Sequence, residues 1–425
     1  MSFFKWMYPG MRVKRWLVLL TFGIVLISLG LAYFSASIYH VEHYPPIAYY
    51  LTLQFLNRAI RGALFSVVGI GSIVIAVVQL NRSLVSVFLP SGDRLVDLVY
   101  RRRQVGRGPR IVCIGGGHGL SNLLRGMKEY TGNLVAIVTV ADDGGSSGRL
   151  REELSILPPG DFRQCIVALS DVEPLMTKLF QYRFGSGDGL EGHSFGNLFI
   201  AAMIGVTGNF EQAVRESSRV LNVRGQILPS TLSNVTLHAE LTDSRVVAGE
   251  HHITSAGGRV ERVSLLPAHV EAHVEAVAAI QSADLVVIGP GSLYTSVLPN
   301  LLVEGIATAV RQTSALRVYV CNVATEAGET DHYDVVGHVE AIERHVGPGM
   351  LDVVLVNDRA VATPTGSVER VAMNGVAWLR KQPQLTLVDV VDPDQPTYHH
   401  PAKLAKRLIE LFYDRTSGRP SAGAV

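Results

Sequence analysis

Two long uncharged stretches dominate the hydropathy pattern of the first eighty residues. Residues 16–34 (WLVLLTFGIVLISLGLAYF) and residues 63–80 (ALFSVVGIGSIVIAVVQL) contain no charged side chain. Each is about as long as a helix that crosses the hydrocarbon core of a bilayer, and glycines are tolerated in such helices. The pattern predicts two transmembrane helices within a membrane hairpin at 1–80. A signal peptide or two buried helices of a soluble domain are weaker interpretations, because no cleavage site is evident and a second apolar stretch follows the first.

Cations flank this hairpin on its outer sides. Lys5, Arg12, Lys14 and Arg15 precede the first stretch, and a run of arginines follows the second, whereas the loop between them carries only Arg58 and Arg61. The positive-inside rule therefore places both termini in the cytoplasm. We predict a protein of the inner (cytoplasmic) membrane, with residues 81–108 as a basic juxtamembrane linker. Residues 47–60 are apolar on one side and would suit a helix on the membrane surface.

From residue 109 the pattern is that of an α/β domain. Short apolar runs, rich in β-branched residues, alternate with segments whose apolar residues recur at helical spacing. The predicted strands, the third followed by a turn, lie at 110–114, 134–140, 283–292, 317–321 and 351–356. This alternation predicts a doubly wound, mostly parallel sheet. Polar and apolar residues alternate between about 235 and 265, which predicts a small antiparallel excursion with the strands VTLHAEL, RVVAGEHHI and RVERVSL. We assign the domain to 109–415 and expect a disordered tail at 416–425.

Charge and cysteine usage exclude some classes of protein. The chain has 38 Lys and Arg against 37 Asp and Glu, so it lacks the basic surplus that bulk binding to nucleic acid requires. Its cysteines, Cys113, Cys165 and Cys321, are far apart and form no CxxC pair. A disulfide framework or a zinc site is therefore not expected.

Small and polar residues follow the predicted strands at the positions where each strand ends. Ligands of open α/β sheets bind beyond the carboxyl ends of the strands, so these loops should meet at one crevice. The first loop holds Gly115, Gly116, Gly117, His118 and Gly119. Its backbone N–H groups could approach an anion at the start of the next helix. A tight turn is the alternative. The loop lacks the Lys of a P-loop, and Leu120 stands where a dinucleotide fingerprint has its third glycine. It predicts a phosphate-bearing ligand.

The second loop reads ADDGGSSGR at 141–149. Asp142 and Asp143 could reach the ribose or base of a nucleotide, or hold Mg²⁺ together with ligand phosphates, or cap the next helix. The backbone that follows should lie against the ligand and end in an arginine that closes on phosphate. Its candidate residues are Gly144, Gly145, Ser146, Gly148 and Arg149.

Further candidates lie at later helix starts and strand ends. Asp161 is a plausible N-cap, and Arg163 in the same turn would need an acidic partner or a ligand, since a cation there opposes the helix dipole. The other candidates are His193, Gly196, Asn197, Gly289, Pro290, Gly291, Ser292, Tyr294, Asn322, Thr325, Glu329 and Thr330. No Ser-His-Asp order, metal-type histidine spacing or nucleophile is apparent, so catalytic residues cannot be named.

Taken together, these motifs resemble the bacterial gluconeogenesis-factor family, a CofD-like branch of the 2-phospho-L-lactate transferase superfamily. The resemblance rests on motifs that follow one another in the family's order between about 110 and 412. They are IGGGHGLSNLLRGMK, VTVADDGGSSGRLR, PPGDFRQCIVALSD, HSFGNLFIAAM, ILPST, ADLVVIGPGSLYTSVLPNLLV and CNVATEAGETDHY. None of them covers the predicted hairpin.

The resemblance implies a Rossmann-like fold and a nucleotide-type ligand. In the gluconeogenesis-factor branch the implied ligand is a UDP-sugar such as UDP-N-acetylglucosamine. The implied role there is support of cell shape and envelope synthesis during gluconeogenic growth, with envelope-synthesis proteins as partners. In the transferase branch an Asp holds Mg²⁺ while a phospholactyl group leaves a nucleotide diphosphate carrier, and Asp142 or Asp143 would be that residue. The predictions are therefore a membrane-tethered UDP-sugar-binding regulator, an Mg²⁺-dependent transferase, or a scaffold; a homo-oligomer is compatible with each.

The chain departs from the family pattern at a few positions. His118 replaces the usual Thr of the first loop, and Gln164 stands where Asn is usual. Glu326 and Ala327 replace the usual Gln-Pro, and Ser244 follows Asp243 in place of Gly. These differences bear on the choice of ligand.

Overall fold

The computed structural model of the chain describes two compact units, which divide between residues 101 and 102. The described residues are 14–36, 50, 53, 55–85, 106, 108–171, 174–359, 369–374 and 383–416. Most of the predicted basic linker, part of the predicted surface helix at 47–60 and all but the first residue of the predicted tail lie outside these ranges.

The first unit is an antiparallel pair of helices, α1 (Lys14–Ala36) and α2 (Arg58–Val85). The two helices approach closely at glycines. A Cβ on Gly23 would lie 2.8 Å from Ile73 Cγ1, and a Cβ on Gly69 would lie 2.6 Å from Ile27 Cγ1. A Cβ on Gly30 would lie 2.8 Å from Ser66 Oγ. Any larger residue at these glycines would force the helices apart.

The apolar side chains of this unit point outward. Val18 is 67% exposed, Val67 69% and Val74 55%, whereas Gly23, Gly30 and Gly69 lie inside the pair. Small residues between helices and apolar residues outside are typical of helices in lipid. By length and composition, Ala59–Leu80 could span a membrane, with a mean hydropathy of 2.4, but the apolar part of α1, Val18–Ala32, is shorter. Two transmembrane helices are thus not confirmed, since the residues that the structure describes contain one helix long and apolar enough to be a candidate span.

The second unit contains a parallel sheet of seven strands in the order β10-β9-β8-β7-β1-β2-β3. The central strand is β7, and next to it lies β1, where Ile111 pairs with Leu134 of β2 on one side and with Leu285 of β7 on the other. The strands are β1 (Ile111–Gly115), β2 (Leu134–Val138), β3 (Gln226–Pro229), β7 (Leu285–Ile288), β8 (Leu316–Val320), β9 (Val353–Asn357) and β10 (Gln384–Val388). The prediction of a mostly parallel sheet is confirmed. The strands β3 and β10 were not predicted.

Helices cover both faces of this sheet, as crossover connections between parallel strands require. They are α3 (Gly117–Met127), α4 (Gly145–Leu154), α5 (Gly160–Leu169), α6 (Pro174–Gln181), α7 (Phe195–Thr207), α8 (Phe210–Val220), α9 (Glu250–Ser255), α10 (Val274–Ser282), α11 (Leu298–Leu301), α12 (Glu304–Gln312), α13 (Val335–Val346) and α14 (Pro401–Thr416), with a π-helical turn at Leu293–Val297. The central strands β1, β7 and β9 are buried along their whole length. The hydrophobic core therefore lies between sheet and helices.

The predicted antiparallel excursion is a separate three-stranded sheet in the order β5-β4-β6. Its strands are β4 (Thr236–Leu241), β5 (Val246–Ala248) and β6 (Val260–Leu266). Within it, the run RVVAGEHHI was predicted as one strand, and that detail is wrong. The strand ends at Ala248, Gly249 takes a φ of +96°, and Glu250 begins the short helix α9. The chain reverses there because only glycine adopts such a φ readily.

The helix α3 packs against the C-terminal helix α14 at Gly126. A Cβ on Gly126 would lie 2.1 Å from the Pro401 carbonyl oxygen and 2.8 Å from Ala405 Cβ. We expect Gly126→Ala to lower the free energy of unfolding by roughly 1–3 kcal/mol, because an extra methyl in a closely packed contact forces backbone shifts. Chemical denaturation of the purified chain measures this.

Gly205→Ala is the matched control for Gly126→Ala. Gly205 also lies inside a helix, but its Cβ would meet nothing within 4 Å. This substitution should raise stability by up to about 1 kcal/mol through helix propensity alone. Equal effects of the two substitutions would contradict the close contact at Gly126.

Candidate functional site

A cleft of about 570 Å³ opens beyond the carboxyl ends of β1, β2, β7 and β8. Its volume suits a small-molecule ligand. The cleft is lined by Gly116, Gly117, His118, Gly119, Asn122, Asp142, Asp161, Gln164, Glu250, Pro290, Gly291, Ser292, Ser296, Asn322, Val323, Ala324, Thr325, Glu326, Ala327, Thr397, Tyr398 and His399. The crevice predicted at the strand ends is therefore a real concavity.

The first glycine loop forms one wall of this cleft. The backbone of Gly116 is extended, and α3 begins at Gly117; its N-cap residue, Gly116, has no side chain to cap the first turn. A Cβ on Gly119 would lie 2.4 Å from the Pro290 carbonyl oxygen, and one on Gly116 would lie 2.5 Å from Asp161 Oδ2. The loops after β1 and β7 thus cross backbone to backbone, and the positive end of α3 faces the cleft. Such a helix start suits an anion.

Carboxyl groups from three elements line the same region. Asp142 follows β2, Asp161 lies in the first turn of α5, and Glu250 begins α9. Asp142 Oδ1 accepts a hydrogen bond of 2.9 Å from the Gly144 N–H. The Gly117 N–H donates to Asp161, and the Glu250 and Asp142 side chains are hydrogen-bonded to each other. Two carboxyl groups can share such a bond only while one of them holds a proton.

Burial decides which of these carboxyl groups keeps its proton. Burial and the nearby Asp142 raise the pKa of Asp161 to about 7. Burial, Asp142 and Asp161 raise the pKa of Glu250 to about 10. Glu250 is therefore the protonated partner at neutral pH and can donate to Asp142.

A second set of polar groups lies at the end of the cleft that follows β8. Glu329 is buried behind the lining, where its carboxylate accepts hydrogen bonds from the Thr295 hydroxyl at 2.9 Å and the Tyr294 N–H at 3.3 Å. Burial and the neighbouring Glu326 raise the pKa of Glu329 to about 8. Burial lowers the pKa of His399 to about 4, so this imidazole is neutral. The fold holds the side chains of Glu329 and His399 in place, and both carry little charge near neutral pH.

Three atoms of lining residues are buried without a hydrogen-bond partner in the described part of the chain: Gln164 Oε1, Glu326 Oε2 and His399 Nε2. Buried polar atoms in native proteins are nearly always satisfied by protein, water or ligand. Their position in one cleft leaves water or a ligand with hydrogen-bond donors to supply the missing partners.

The structure brings many of the predicted site residues together. The candidates that line the cleft are Gly116, Gly117, His118, Gly119, Asp142, Asp161, Pro290, Gly291, Ser292, Asn322 and Thr325. They come from the loops after β1, β2, β7 and β8 and from the start of α5. The argument from strand ends placed these loops correctly in space.

Other predicted residues form a buried layer behind the lining. Ser146 Oγ lies 3.0 Å from His193 Nδ1 and accepts a 3.1 Å hydrogen bond from Asn197 Nδ2. Arg163 Nε donates to Asn197 Oδ1 at 2.9 Å, and Gly196 lets the Arg163 chain pass, since its Cβ would lie 2.6 Å from Arg163 Cδ. This network joins α4, α5 and α7. Arg163 thus has an amide partner in addition to the acidic Asp161 nearby.

The second loop bonds mainly to the protein itself. Asp143 Oδ1 accepts the His251 N–H at 2.9 Å, and Arg149 Nη2 donates to the Glu191 carbonyl at 2.7 Å. Gly148 packs on the Asp143 backbone. The N-cap of α4 is Gly144, and Gly145 follows it with a φ of +48°. Neither Asp142 nor Asp143 caps α4, and Pro159 rather than Asp161 precedes the first residue of α5. The capping predictions are therefore wrong.

The remaining candidates support the loops. The Gly115 carbonyl accepts from Asn300 Nδ2 at 3.0 Å, and the Tyr294 hydroxyl lies 2.8 Å from that of Tyr333. Thr330 Oγ1 accepts the Glu326 N–H at 2.9 Å. Gly289 turns the chain with a φ of +75°. Tyr294 fills the interior and is not available to stack on a base.

Several lining residues were not predicted. Glu250 arrives from the antiparallel sheet, and Thr397, Tyr398 and His399 precede the last helix. Asn122 and Ser296 lie one turn inside helical segments whose starts were recognised. Counting one helical turn onward from each glycine loop would have identified these two residues, because residues one turn apart lie on the same face of a helix.

Within the residues that the structure describes, no group of three or more His, Cys, Asp or Glu side chains is arranged to hold a metal ion. Asp142 and Glu250 are close enough to be hydrogen-bonded. Mg²⁺ commonly takes one or two carboxylates and completes its shell with water and ligand phosphates. The pair therefore fits a metal that arrives with a ligand, and it does not fit an all-protein cage. Asp143 does not line the cleft.

The chain matches known proteins over most of its length. The family model "2-phospho-L-lactate transferase CofD" matches residues 111–379. The gluconeogenesis factor of Bacillus subtilis is 54% identical over 321 residues, which cover 72% of this chain and 99% of that protein. A protein of Nostoc sp. is 44% identical over 430 residues and covers 97% of this chain and 93% of its own length.

A solved structure shares the fold. The crystal structure of a UPF0052-family member from Bacillus halodurans has a TM-score of 0.68 and 45% sequence identity, and the match covers 71% of this chain and 99% of that one. From these matches and the geometry of the cleft, the chain belongs to the gluconeogenesis-factor family of CofD-like proteins.

Proposed function

We propose that this protein is a membrane-tethered cytoplasmic regulator that binds a nucleotide sugar of the UDP-N-acetylglucosamine type, and that it supports cell shape and envelope synthesis during gluconeogenic growth. The observation that carries the proposal is the cleft itself. It combines a helix start whose N-cap is a glycine, suited to phosphate, with buried acceptor atoms for the donor groups of a sugar or base that have no partner among the described residues.

The wall formed by Gly116, Gly117 and Gly119 supports the phosphate part of the proposal. A diphosphate needs close approach of backbone N–H groups, and side chains at these positions would block it. A Cβ at Gly116 or Gly119 would already clash with the protein. The carboxyl groups of Asp142 and of Asp161, which lies beside this wall, argue against a free anion filling the whole cleft, because they would repel it. A ligand with a compact anionic centre and neutral ends fits both walls.

Residue chemistry favours binding over turnover. The Ser146–His193 contact has the composition of a nucleophile and base, but Ser146 is 4% exposed and His193 2% exposed, and neither lines the cleft. His399 lines the cleft and is neutral. Among the described residues, no hydrogen bond joins it to a serine, threonine or cysteine side chain that could act as a nucleophile. A regulator needs only binding and release.

The first unit supports the tether. Ala59–Leu80 is long and apolar enough to span a bilayer, and the outward-facing apolar side chains of α1 and α2 suit lipid contact. With the flanking cations of the sequence, the positive-inside rule would keep the α/β unit on the cytoplasmic side. Nucleotide sugars that feed envelope synthesis would be sensed close to the membrane where they are used.

An Mg²⁺-dependent transferase acting on a nucleotide diphosphate donor is the second candidate, and the carboxyl groups favour it. Asp142 and Glu250 would hold the metal together with ligand phosphates, and the metal would neutralise charge on the diphosphate. For this the Glu250 proton has to leave, since its pKa is raised to about 10 in the structure. Asp161 would remain beside the start of α3 and orient its first N–H.

Calorimetric titration of the full chain in detergent separates the two candidates. We expect UDP-N-acetylglucosamine to bind with and without Mg²⁺, and Asp142→Asn to weaken binding by roughly tenfold, because it removes a charge-assisted acceptor from the cleft. Asp243→Asn is the control, since Asp243 pairs with Arg245 and its side chain is 51% exposed.

Two results of this titration would contradict the regulator. One is the failure of UDP-N-acetylglucosamine and UDP-glucose to bind at all. The other is binding of GDP only in the presence of Mg²⁺, abolished by Asp142→Asn, which would establish the transferase-type site.

A further inference from the structure

The carboxyl group of Glu326 is an unusual feature of the cleft. It lies in the loop after β8, it lines the cavity, and Oε2 is buried without a hydrogen-bond partner in the part of the chain described. The Ser292 side chain hydrogen-bonds this carboxyl group and favours its charged form against the effect of burial, which raises its pKa. The backbone is fixed as well, since the Glu326 N–H donates to Thr330 Oγ1 at 2.9 Å. One carboxylate oxygen is thus held in place with nothing bound to it.

His399 presents a second acceptor to the same cleft. Its ring is 6% exposed, and the Cys321 backbone hydrogen-bonds the imidazole. Since Nε2 has no partner in the described chain, this bond assigns the proton to Nδ1, and the neutral ring keeps a lone pair on Nε2. His399 Nε2 is therefore an acceptor, and so is Glu326 Oε2 in the charged form that Ser292 favours, so the matching ligand group would carry N–H or O–H donors.

The strand order places these two residues relative to the rest of a bound ligand. The sheet runs β8-β7-β1-β2 through the cleft. The start of α3 follows β1, Asp142 follows β2, and Glu326 follows β8 on the opposite side. A nucleotide sugar whose diphosphate lies at the helix start spans this order, so one end reaches Asp142 and the other reaches Glu326. The ribose hydroxyls suit Asp142, as an acidic residue after the second strand suits a ribose in related α/β sites. The sugar then lies over β8.

We propose that Glu326 and His399 select the sugar of the ligand by accepting hydrogen bonds from its hydroxyl or amide groups at Glu326 Oε2 and His399 Nε2. This inference rests on the proposed function and adds the orientation of the ligand and the residues that determine its specificity. A ligand that lacks the sugar would form no hydrogen bond with either residue.

The test is a titration of three probes into the full chain and its variants in detergent. The probes are UDP-N-acetylglucosamine, UDP-glucose and UDP, and the variants are Glu326→Gln and His399→Asn. Gln keeps the shape of Glu326 and removes its charge, and Asn keeps a donor near the Cys321 carbonyl while removing Nε2. We expect each variant to weaken the binding of UDP-N-acetylglucosamine by about tenfold, as for loss of a hydrogen bond to a charged or buried group. The affinity for UDP should stay within about twofold of that of the unmodified chain.

Glu369→Gln is the matched control. Glu369 meets the same loop through its backbone, where the Thr325 N–H donates to its carbonyl at 2.7 Å, but its side chain is 55% exposed beside His332. Glu369→Gln removes the same charge at a position outside the cleft, so it should leave the affinity for all three probes unchanged. Thermal unfolding of every variant identifies loss of fold separately from loss of contact.

Each alternative result is decisive. Equal weakening of UDP and the UDP-sugars by folded Glu326→Gln would place Glu326 on the nucleotide and overturn the assignment. Unchanged affinities would also overturn it and would leave Oε2 to a buried water shared with the nearby Tyr319 hydroxyl, which also lacks a partner in the described chain. If the unmodified chain binds none of the UDP-sugars, the proposed function fails and this inference fails with it.

Discussion

Gly119→Ala is expected to abolish nucleotide-sugar binding and to lower the free energy of unfolding by about 3 kcal/mol. The new Cβ would lie 2.4 Å from Pro290 O, 2.7 Å from Pro290 C and 2.8 Å from Gly291 Cα. All three are backbone atoms, so no side chain can rotate away, and overpacking of this kind costs a few kcal/mol. The loops after β1 and β7 would separate, and the helix start would no longer face the cleft. Calorimetric titration and urea denaturation of the same preparation measure both effects.

Gly115→Ala is the control for this substitution. Gly115 lies in the same glycine run, but its Cβ would meet neighbours at 3.6 Å or beyond, which is ordinary van der Waals contact. We expect a change in stability of less than about 1 kcal/mol and measurable binding. If both variants bind the nucleotide sugar equally well, the close backbone contact between Gly119 and Pro290 does not determine the shape of the site.

Stability of the ligand-free protein is expected to fall as the pH rises from about 5.5 to 8. The raised pKa values of Asp161, about 7, and Glu250, about 10, mean that the folded state holds protons which the unfolded state releases near pH 4. The stabilisation from a neutral Asp161 is complete below its unfolded pKa and is lost as the pH rises through about 7. Asp161 alone should contribute roughly 2 kcal/mol of this loss. Urea denaturation at both pH values measures the change.

Asp161→Asn should remove part of this pH dependence and raise stability at pH 8, because the amide stays neutral and can still accept the Gly117 N–H. Asp188→Asn, in an exposed loop, should leave the pH dependence unchanged. A wild-type chain that is more stable at pH 8 than at pH 5.5 would show that these carboxyl groups are charged and compensated in the folded state.

The sequence indicated the sheet correctly where strands are buried on both faces. Runs such as LVAIVTV are apolar at every position, and parallel pairing in a covered sheet requires that. It missed β10 (QLTLV), an edge strand with exposed and partly buried positions and no fully buried one, and it missed β3 (QILP), which is only four residues long and ends in a proline. An edge strand is defined by the strand it pairs with in space, and the sequence alone does not show which segments pair.

The site was predictable to the level of loops and less so to the level of side chains. Small and polar residues at strand ends identified the glycine wall and Asp142. Ser146, His193 and Asn197 have the same composition, but in the structure they bond to each other. Residue type shows that a group can form a hydrogen bond and does not show in which direction it points. Glu250 was missed for a different reason, since a strand-like pattern continued through the point where Gly249 turns the chain.

The packing of the last helix on the first glycine-loop helix has a consequence for biosynthesis. Thr397, Tyr398 and His399 line the cleft, and α14 directly after them packs on α3 at Gly126. During translation the glycine loop emerges first, but the part of the lining made by Thr397, Tyr398 and His399 follows only after the sheet strands have emerged. Ligand therefore cannot be captured by a partly synthesised chain, and a premature stop before residue 397 yields a protein that lacks one wall of its site.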